Sequence, residues 1–302
     1  MPGMLPIVHH PDYEAPLRPG HRFPMSKYGY LREALIDRGL MDRGRYLSPA
    51  PASEGQVALA HDPAYVARVF GLSLEAAEVK RIGLPGTARV ARRARLSAAG
   101  TLLAAWLALE HGIACNAAGG SHHAGPEGGA GFCVFNDVAV AIANLLAHGV
   151  AAPVLVVDAD VHQGDGTARV FAGDPRVFTL SVHAEKNYPQ EKARSDLDIG
   201  LPDRTGDGAY LAALNAALDE ALDRVAPKLV FYNAGVDVWE GDRLGRLAVS
   251  VDGIRARDAA VIARIRGAGL PLVGVIGGGY DDDPARLASR HAILFEEAAR
   301  VG

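Results

Sequence analysis

The sequence predicts an α/β fold, a doubly wound parallel sheet flanked by helices. From residue 113 onward, short apolar runs alternate with longer segments of helical character. Crossovers of that length pair successive strands in parallel. The apolar runs are continuous, as in Val154-Leu155-Val156-Val157, which is the pattern of strands covered on both faces. A third observation concerns chemistry. Ligands of open α/β sheets bind beyond the carboxyl ends of strands, and the unusual His, Asp and Tyr residues of this chain fall just past such ends.

Taken in order, residues 6–9 read as a short first strand and 10–25 as a Pro/His/Arg-rich loop. Ser26 is placed to cap a helix over 27–38, which Gly39 stops. A Pro/Ala/Ser loop covers 48–54. Asp62-Pro63 then opens a helix through Phe70, with proline at its first position. Residues 72–80 read as another helix and 87–111 as a long one ended by Gly112. Residues 113–117 are a strand, followed by a glycine-rich loop over 119–131. Asn136 caps a helix to His148. Strand 153–158, short helix 166–171 and strand 176–182 follow. Asp207 caps a helix to Val225, 228–233 is a strand and 251–266 is largely helical. Strand 271–276 ends in Gly277-Gly278-Gly279, and Asp283-Pro284 caps a last helix to Arg300. No repeat, low-complexity segment or linker interrupts this order, so residues 1–302 read as one domain.

Composition narrows the function. A net charge of −4 and a pI near 6.3 exclude nucleic-acid binding by a basic surface. The two cysteines, Cys115 and Cys133, lack Cys-x-x-Cys spacing, which excludes a thiolate zinc knuckle and fits a reducing cytoplasm. Residues 1–10 lack the basic and apolar regions of a signal peptide. The longest apolar stretch, 98–109, is too short to span a bilayer.

The chemistry concentrates in Asp158-Ala-Asp160-Val-His162-Gln-Gly-Asp165. Side chains two apart on an extended chain point the same way. Asp160 and His162 therefore reach one point, as two of the three ligands of a catalytic zinc site. Burying so many ionisable groups is costly unless a metal or partner compensates. His122 and His123 follow the strand at 113, Ser181 and His183 end the strand at 176, and Asp237 lies just past the strand at 228. Paired imidazoles beside a metal can serve as general base and general acid, oriented by Asp158 and Asp165. The alternative is a pair of loop histidines bonded to nearby carbonyls. Tyr280 follows three glycines that let the backbone approach a ligand, and its phenol can meet a carbonyl and its developing oxyanion. Phe132 is either core or the wall of an apolar channel, with Tyr188 opposite. Asp281-Asp282-Asp283 can attract a cationic substrate or can serve the start of the last helix.

Gly-Gly-Ser-His-His-Ala (119–124), Gly-Phe-Cys (131–133), Val-Asp-Ala-Asp-Val-His-Gln-Gly-Asp-Gly (157–166) and Gly-Gly-Gly-Tyr (277–280) together resemble the zinc-dependent histone deacetylases. Gln163 and the phrase over 232–247 are most similar to the class IV branch. The resemblance covers nearly the whole chain. It implies an arginase/deacetylase fold and one zinc per chain on Asp160, His162 and Asp237. It implies His122 and His123 as the catalytic pair backed by Asp158 and Asp165, with His123 the general base and Tyr280 polarising the substrate carbonyl. Phe132, Tyr188, Gly131 and Gly278 would line a substrate channel. A structural potassium would lie near Asp158, Asp160, His162, Ser181 and Val182. The implied reaction removes an acetyl or longer acyl group from an N-acyl-lysine or small acylated amine. A two-metal arginase-like hydrolase, an acetylpolyamine deacetylase and a non-catalytic reader of acylated ligands are the rival readings. The loop over 184–195 departs from class I members.

Overall fold

The computed structural model describes residues 5–43 and 46–301, so Met1–Met4 of the N-terminal reading lie outside the described residues. One sheet holds seven strands: β1 (Ile7–Val8), β2 (Ile113–Asn116), β3 (Val154–Asp158), β4 (Val177–Ala184), β5 (Leu197–Leu201), β6 (Leu229–Asn233) and β7 (Leu272–Val275). Every pairing is parallel, in the order β1-β2-β7-β6-β3-β4-β5. From β3 the chain steps outward to β4 and β5, then returns to β6 on the other side of β3. The carboxyl ends of β3 and β6 therefore straddle the switch point, where open α/β sheets place their ligands.

The helices are α1 (Lys27–Asp37), α2 (Glu54–Val57), α3 (Pro63–Phe70), α4 (Ala76–Ile82), α5 (Ala88–His111), α6 (Asp137–Ala147), α7 (Asp165–Val170), α8 (Asp207–Val225), α9 (Val251–Gly267) and α10 (Pro284–Ala299). All residues of β2, β3, β4, β6 and β7 are buried, which requires cover on both faces. One group of helices is α5 with α6, α5 lying against β1, β2 and β7. The other runs α8–α9–α10–α1, with α8 against β3, β4 and β5, and α10 against β2. Among the described residues, no helix is long and apolar enough to cross a membrane.

Most expected boundaries hold to within two residues, and several expected caps form. Asp62 accepts from the N–H groups of Ala64 and Tyr65, Asn136 from Ala139, and Asp283 from Ala285 and Arg286, whereas Asp207 lies in the first turn of α8 and does not cap it. Ser26 precedes α1 but makes no capping bond. The helix expected from residue 72 begins at Ala76, because Leu72 takes a left-handed φ of 57° that no helix continues. The short helix α2, capped by Ser53, begins where the loop over 48–54 was expected to end. Strand β5 was not expected. Its residues alternate between half-buried and exposed, ending in buried Leu201, so it carries no apolar run.

Helix α5 approaches β2 closely at Gly100, where a buried polar chain crosses the layers. Tyr13 Oη donates to Asn116 Oδ1 (2.9 Å), Asn116 Nδ2 to Thr101 Oγ1 (3.0 Å) and Thr101 Oγ1 to Asp137 Oδ2 (2.6 Å). The Asp137 carboxylate then accepts from the N–H groups of Gly120 (3.2 Å) and Ser121 (2.7 Å), fixing the loop that carries the histidine pair. A Cβ on Gly100 would stand 2.0 Å from Tyr13 Oη and 2.9 Å from Asn116 Nδ2. Alanine is the better helix former by about 1 kcal/mol. Gly100→Ala is nonetheless expected to lose about 1–3 kcal/mol in urea unfolding, because the crossing cannot widen without breaking the chain. A more stable variant would contradict this packing.

Candidate active site

Past the end of β3 the backbone turns under Asp160 and His162, and past the end of β6 it turns under Asp237. Asp160 and Asp237 are fully buried and His162 nearly so. One ligand atom from each lies within 4.8 Å of the others, a set that could hold a metal ion. Backbone donors hold the carboxylates: Asp160 Oδ2 accepts from Gly278 N–H (2.7 Å) and Asp237 Oδ1 from Val161 N–H (2.9 Å). Asp237 Oδ2 stands 3.3 Å from His162 Nδ1 yet has no hydrogen-bond partner among the described residues. Burial raises the pKa of Asp237, and the neighbouring Asp160 charge adds to this. Burial opposes the charge of His162, but the adjoining carboxylates of Asp160 and Asp237 outweigh it and push its pKa up to about 10. The pocket thus favours positive charge between its carboxylates. Two carboxylate oxygens, the orphaned Asp237 Oδ2 among them, and one imidazole fit a zinc donor set.

The histidine pair sits beside this group, its ring centroids 4.1 Å apart. His122 Nδ1 bonds Asp158 Oδ2 at 2.7 Å, and His123 Nδ1 bonds Asp165 Oδ1 at 2.6 Å. Asp165 is also paired with Arg169. The two rings are driven apart electrostatically. Burial works against a charge on His122, but the carboxylates of Asp158 and Asp160 win and raise its pKa to about 9. Burial and then the His122 charge lower His123 to about 4, against the pull of Asp165. One ring is therefore charged and the other neutral. The neutral ring donates Nδ1–H to Asp165 and leaves its Nε2 lone pair available.

A cavity of about 540 Å³ opens onto these groups, with His123, His162, Phe132, Tyr188, Leu244 and Tyr280 among its lining. Gly131 lines it too. Phe132 adopts a φ of 67°, unusual for a bulky residue and a form of strain that collects at functional sites. Tyr188 sets its ring at 89° to that of His123, with centroids 4.7 Å apart. Tyr280 is buried, and its backbone is clamped by the loop after Asp237. Its N–H donates to Asp242 Oδ2 (2.7 Å) and its carbonyl accepts from Arg243 N–H (3.1 Å). Gly278 belongs to the inner floor rather than the outer channel, since a Cβ there would lie 2.0 Å from Asp237 Oδ2. Asp158 and Ser181 are paired in register on β3 and β4, where Ser181 Oγ bonds His183 Nδ1 at 3.0 Å. The acidic run past Tyr280 is consumed internally. Asp281 pairs with Arg286 and Arg290, Asp282 with Arg243, and Asp283 caps α10.

Several residues that order the site gave no sequence signal. Asn233 Nδ2 donates to Asp158 Oδ1 (2.9 Å). Lys27, fully buried, donates to Gly277 O (3.1 Å), and burial lowers its pKa to about 8. Burial and the nearby Asp237 raise Asp242 to about 7. Arg257 is the largest fully buried side chain among the described residues. It donates to the carbonyls of Gly235 (2.5 Å), Ala159 (3.2 Å) and Ala234 (3.3 Å), and to Asp258 (2.9 Å). Those carbonyls flank Asp160 and Asp237, so one guanidinium ties the two carboxylate-bearing turns together. In sequence it is one arginine among several on an amphipathic helix. Only the adjacent Arg-Asp pair marks it, and such pairs are common on surfaces.

Comparison with known proteins shows which family and fold the chain shares. The family pattern described as histone deacetylase domain matches residues 21–294. The chain is 45% identical to an uncharacterized protein of Picosynechococcus over 98% of this chain and 99% of that one. It is 33% identical to histone deacetylase 2 of Arabidopsis thaliana, over 93% of this chain and 74% of that one. It is 32% identical to a histone deacetylase-like amidohydrolase of Pseudomonas aeruginosa, over 89% and 75%. A crystal structure of the HDA15 HD domain superposes with a TM-score of 0.78 at 22% identity, covering 99% of this chain and 90% of that one, and shares the fold.

The Arg257 tie can be tested apart from catalysis. Arg257→Met removes the charge and leaves Asp258 and three carbonyls short of a donor. Urea unfolding is expected to show a loss of about 3–5 kcal/mol, the usual cost of breaking a buried charged pair from one side. A loss below about 1 kcal/mol, the level of an exposed pair, would remove Arg257 from this role.

Proposed function

The chain belongs to the histone deacetylase family and is a hydrolase of acylated amines, and from that premise we propose which residues perform the reaction. Asp160, His162 and Asp237 hold one zinc ion, His122 and His123 handle protons, and Tyr280 stabilises the oxyanion. The observation that carries this reading is that the buried three-residue donor set and a pair of histidines, each bonded to its own carboxylate, lie together behind one cavity lined by His123 and His162. Zinc bound there supplies a Lewis acid for the scissile carbonyl and for the attacking water. His123, neutral and oriented by Asp165, takes the proton from that water. Tyr280, clamped by Asp242 and Arg243, donates its phenol hydrogen to the carbonyl oxygen as that oxygen becomes anionic. His122, bonded through Nδ1 to Asp158, supplies the proton that lets the amine leave. Phe132 and Tyr188 flank the methylene chain of the acylated amine. Asp158 and Asp165 are each bonded to a histidine, which supports a one-metal rather than a two-metal centre. A potassium ion near Asp158 and Ser181 would be structural. The free cysteines Cys115 and Cys133 suit a reducing cytoplasm, and residues 1–302 act as one catalytic domain.

A fluorogenic Nε-acetyl-lysine assay tests these roles. His123→Ala and Tyr280→Phe are each expected to reduce kcat by about 10²–10³-fold while circular dichroism stays parental. Asp160→Ala is expected to abolish turnover. Near-parental turnover in Asp160→Ala would sink the reading.

A further inference from the structure

Resting on the deacylase reading above, we propose that the mouth of the cavity selects anionic substrates, so that the part of the acylated amine left outside carries carboxylates. The cavity is lined at its outer end by Arg18, Arg22, Lys80 and Arg81, with His21 between them, and by no Asp or Glu. Arg18, Arg22, Lys80 and Arg81 are all exposed, and none of them forms an ion pair among the described residues. Two chain segments supply them, the loop before α1 and the end of α4. His21 Nε2 meets Gly83 O at 3.0 Å, joining those segments beside Phe132, whose ring centroid lies 6.1 Å from that of His21. Arg81 also donates to Gly129 O (2.9 Å), which fixes one cation over the glycine-rich loop. This concentration is not a consequence of composition, because the chain as a whole carries a net charge of −4.

The acidic groups beside Arg81 are Glu75, Glu78 and Glu127; Glu78 pairs with Arg68, and none of the three lines the cavity. The acidic run over 281–283 is taken up by Arg243, Arg286, Arg290 and the start of α10. A polyamine or a lysine-rich peptide would therefore meet like charge well within the screening distance of about 10 Å at 0.1 M salt. A carboxylate-bearing substrate would be drawn in, since a cleft of one sign concentrates the opposite charge. The carboxylates can come from acidic side chains flanking an acyl-lysine or from a small acylated amino acid itself.

Short acetyl-lysine peptides flanked by Glu, Gln or Lys, and free Nα-capped Nε-acetyl-lysine against its carboxamide, distinguish the sources. At low ionic strength kcat/KM for the Glu-flanked peptide or the free acid is expected to exceed that of its basic or amide counterpart by about tenfold, and the ratio to shrink with salt. In Arg22→Glu/Lys80→Glu the ratio, read within the variant, is expected to invert. In Lys228→Glu, exposed at the amino end of β6, it is expected to stay parental. Fluorescence anisotropy with labelled Glu- and Lys-flanked peptides reads the same preference as binding. That arm separates a failure of the mouth from a failure of the deacylase reading, in which even the Gln-flanked peptide resists hydrolysis. A parental preference at or below one in both arms, or a ratio that the double variant leaves unchanged, would overturn the proposal.

Discussion

Two carboxylates, Asp160 and Asp237, lie buried side by side where the chain leaves β3 and β6. Placing like charges out of water at that spacing is costly unless positive charge lies between or beside them. The surrounding structure answers that constraint. His162 shares their space, Lys27 is buried near them, Gly278 brings its N–H to Asp160, and Arg257 grips the carbonyls of both turns from beneath. The sheet order places the two turns next to each other, because β6 returns to pair with β3 after the excursion through β4 and β5.

The same carboxylates set the division of labour between the histidines. Asp160 adds to Asp158 in charging His122, and the charged His122 in turn keeps His123 neutral. An acid and a base thus arise from adjacent residues of one type, distinguished by which carboxylates each faces. The polar chain from Tyr13 through Asn116 and Thr101 to Asp137 holds the loop on which this difference depends.

Much of this was legible in the sequence, for definite reasons. Apolar runs alternating with helical segments identified six of the seven strands, and period-two spacing placed Asp160 beside His162. Positions just past strand ends marked Asp237 and Tyr280, far from that pair along the chain, and the motif resemblance made Asp237 the third ligand. Other features are set by tertiary contact and leave no local pattern. Strand β5 is half-polar, and the Arg257, Asn233 and Lys27 side chains look like ordinary helix or strand residues until the fold buries them. Asp137 could be read only as an acid in the first turn of α6, although it anchors the histidine loop. Gly278 was assigned to the channel through the resemblance, and what its missing side chain leaves room for is the pair of carboxylates. The run over 281–283 kept two readings in sequence, and its arginine partners leave it serving the start of α10.

The most direct test of the central claim is metal content per chain. Protein purified without chelator, dialysed against zinc and then against metal-free buffer, can be measured by elemental analysis beside Asp160→Asn and Asp237→Asn, which preserve side-chain volume. The account predicts one zinc per folded parental chain and almost none in either variant. Two transition-metal ions per parental chain, or full occupancy retained in Asp237→Asn, would contradict it.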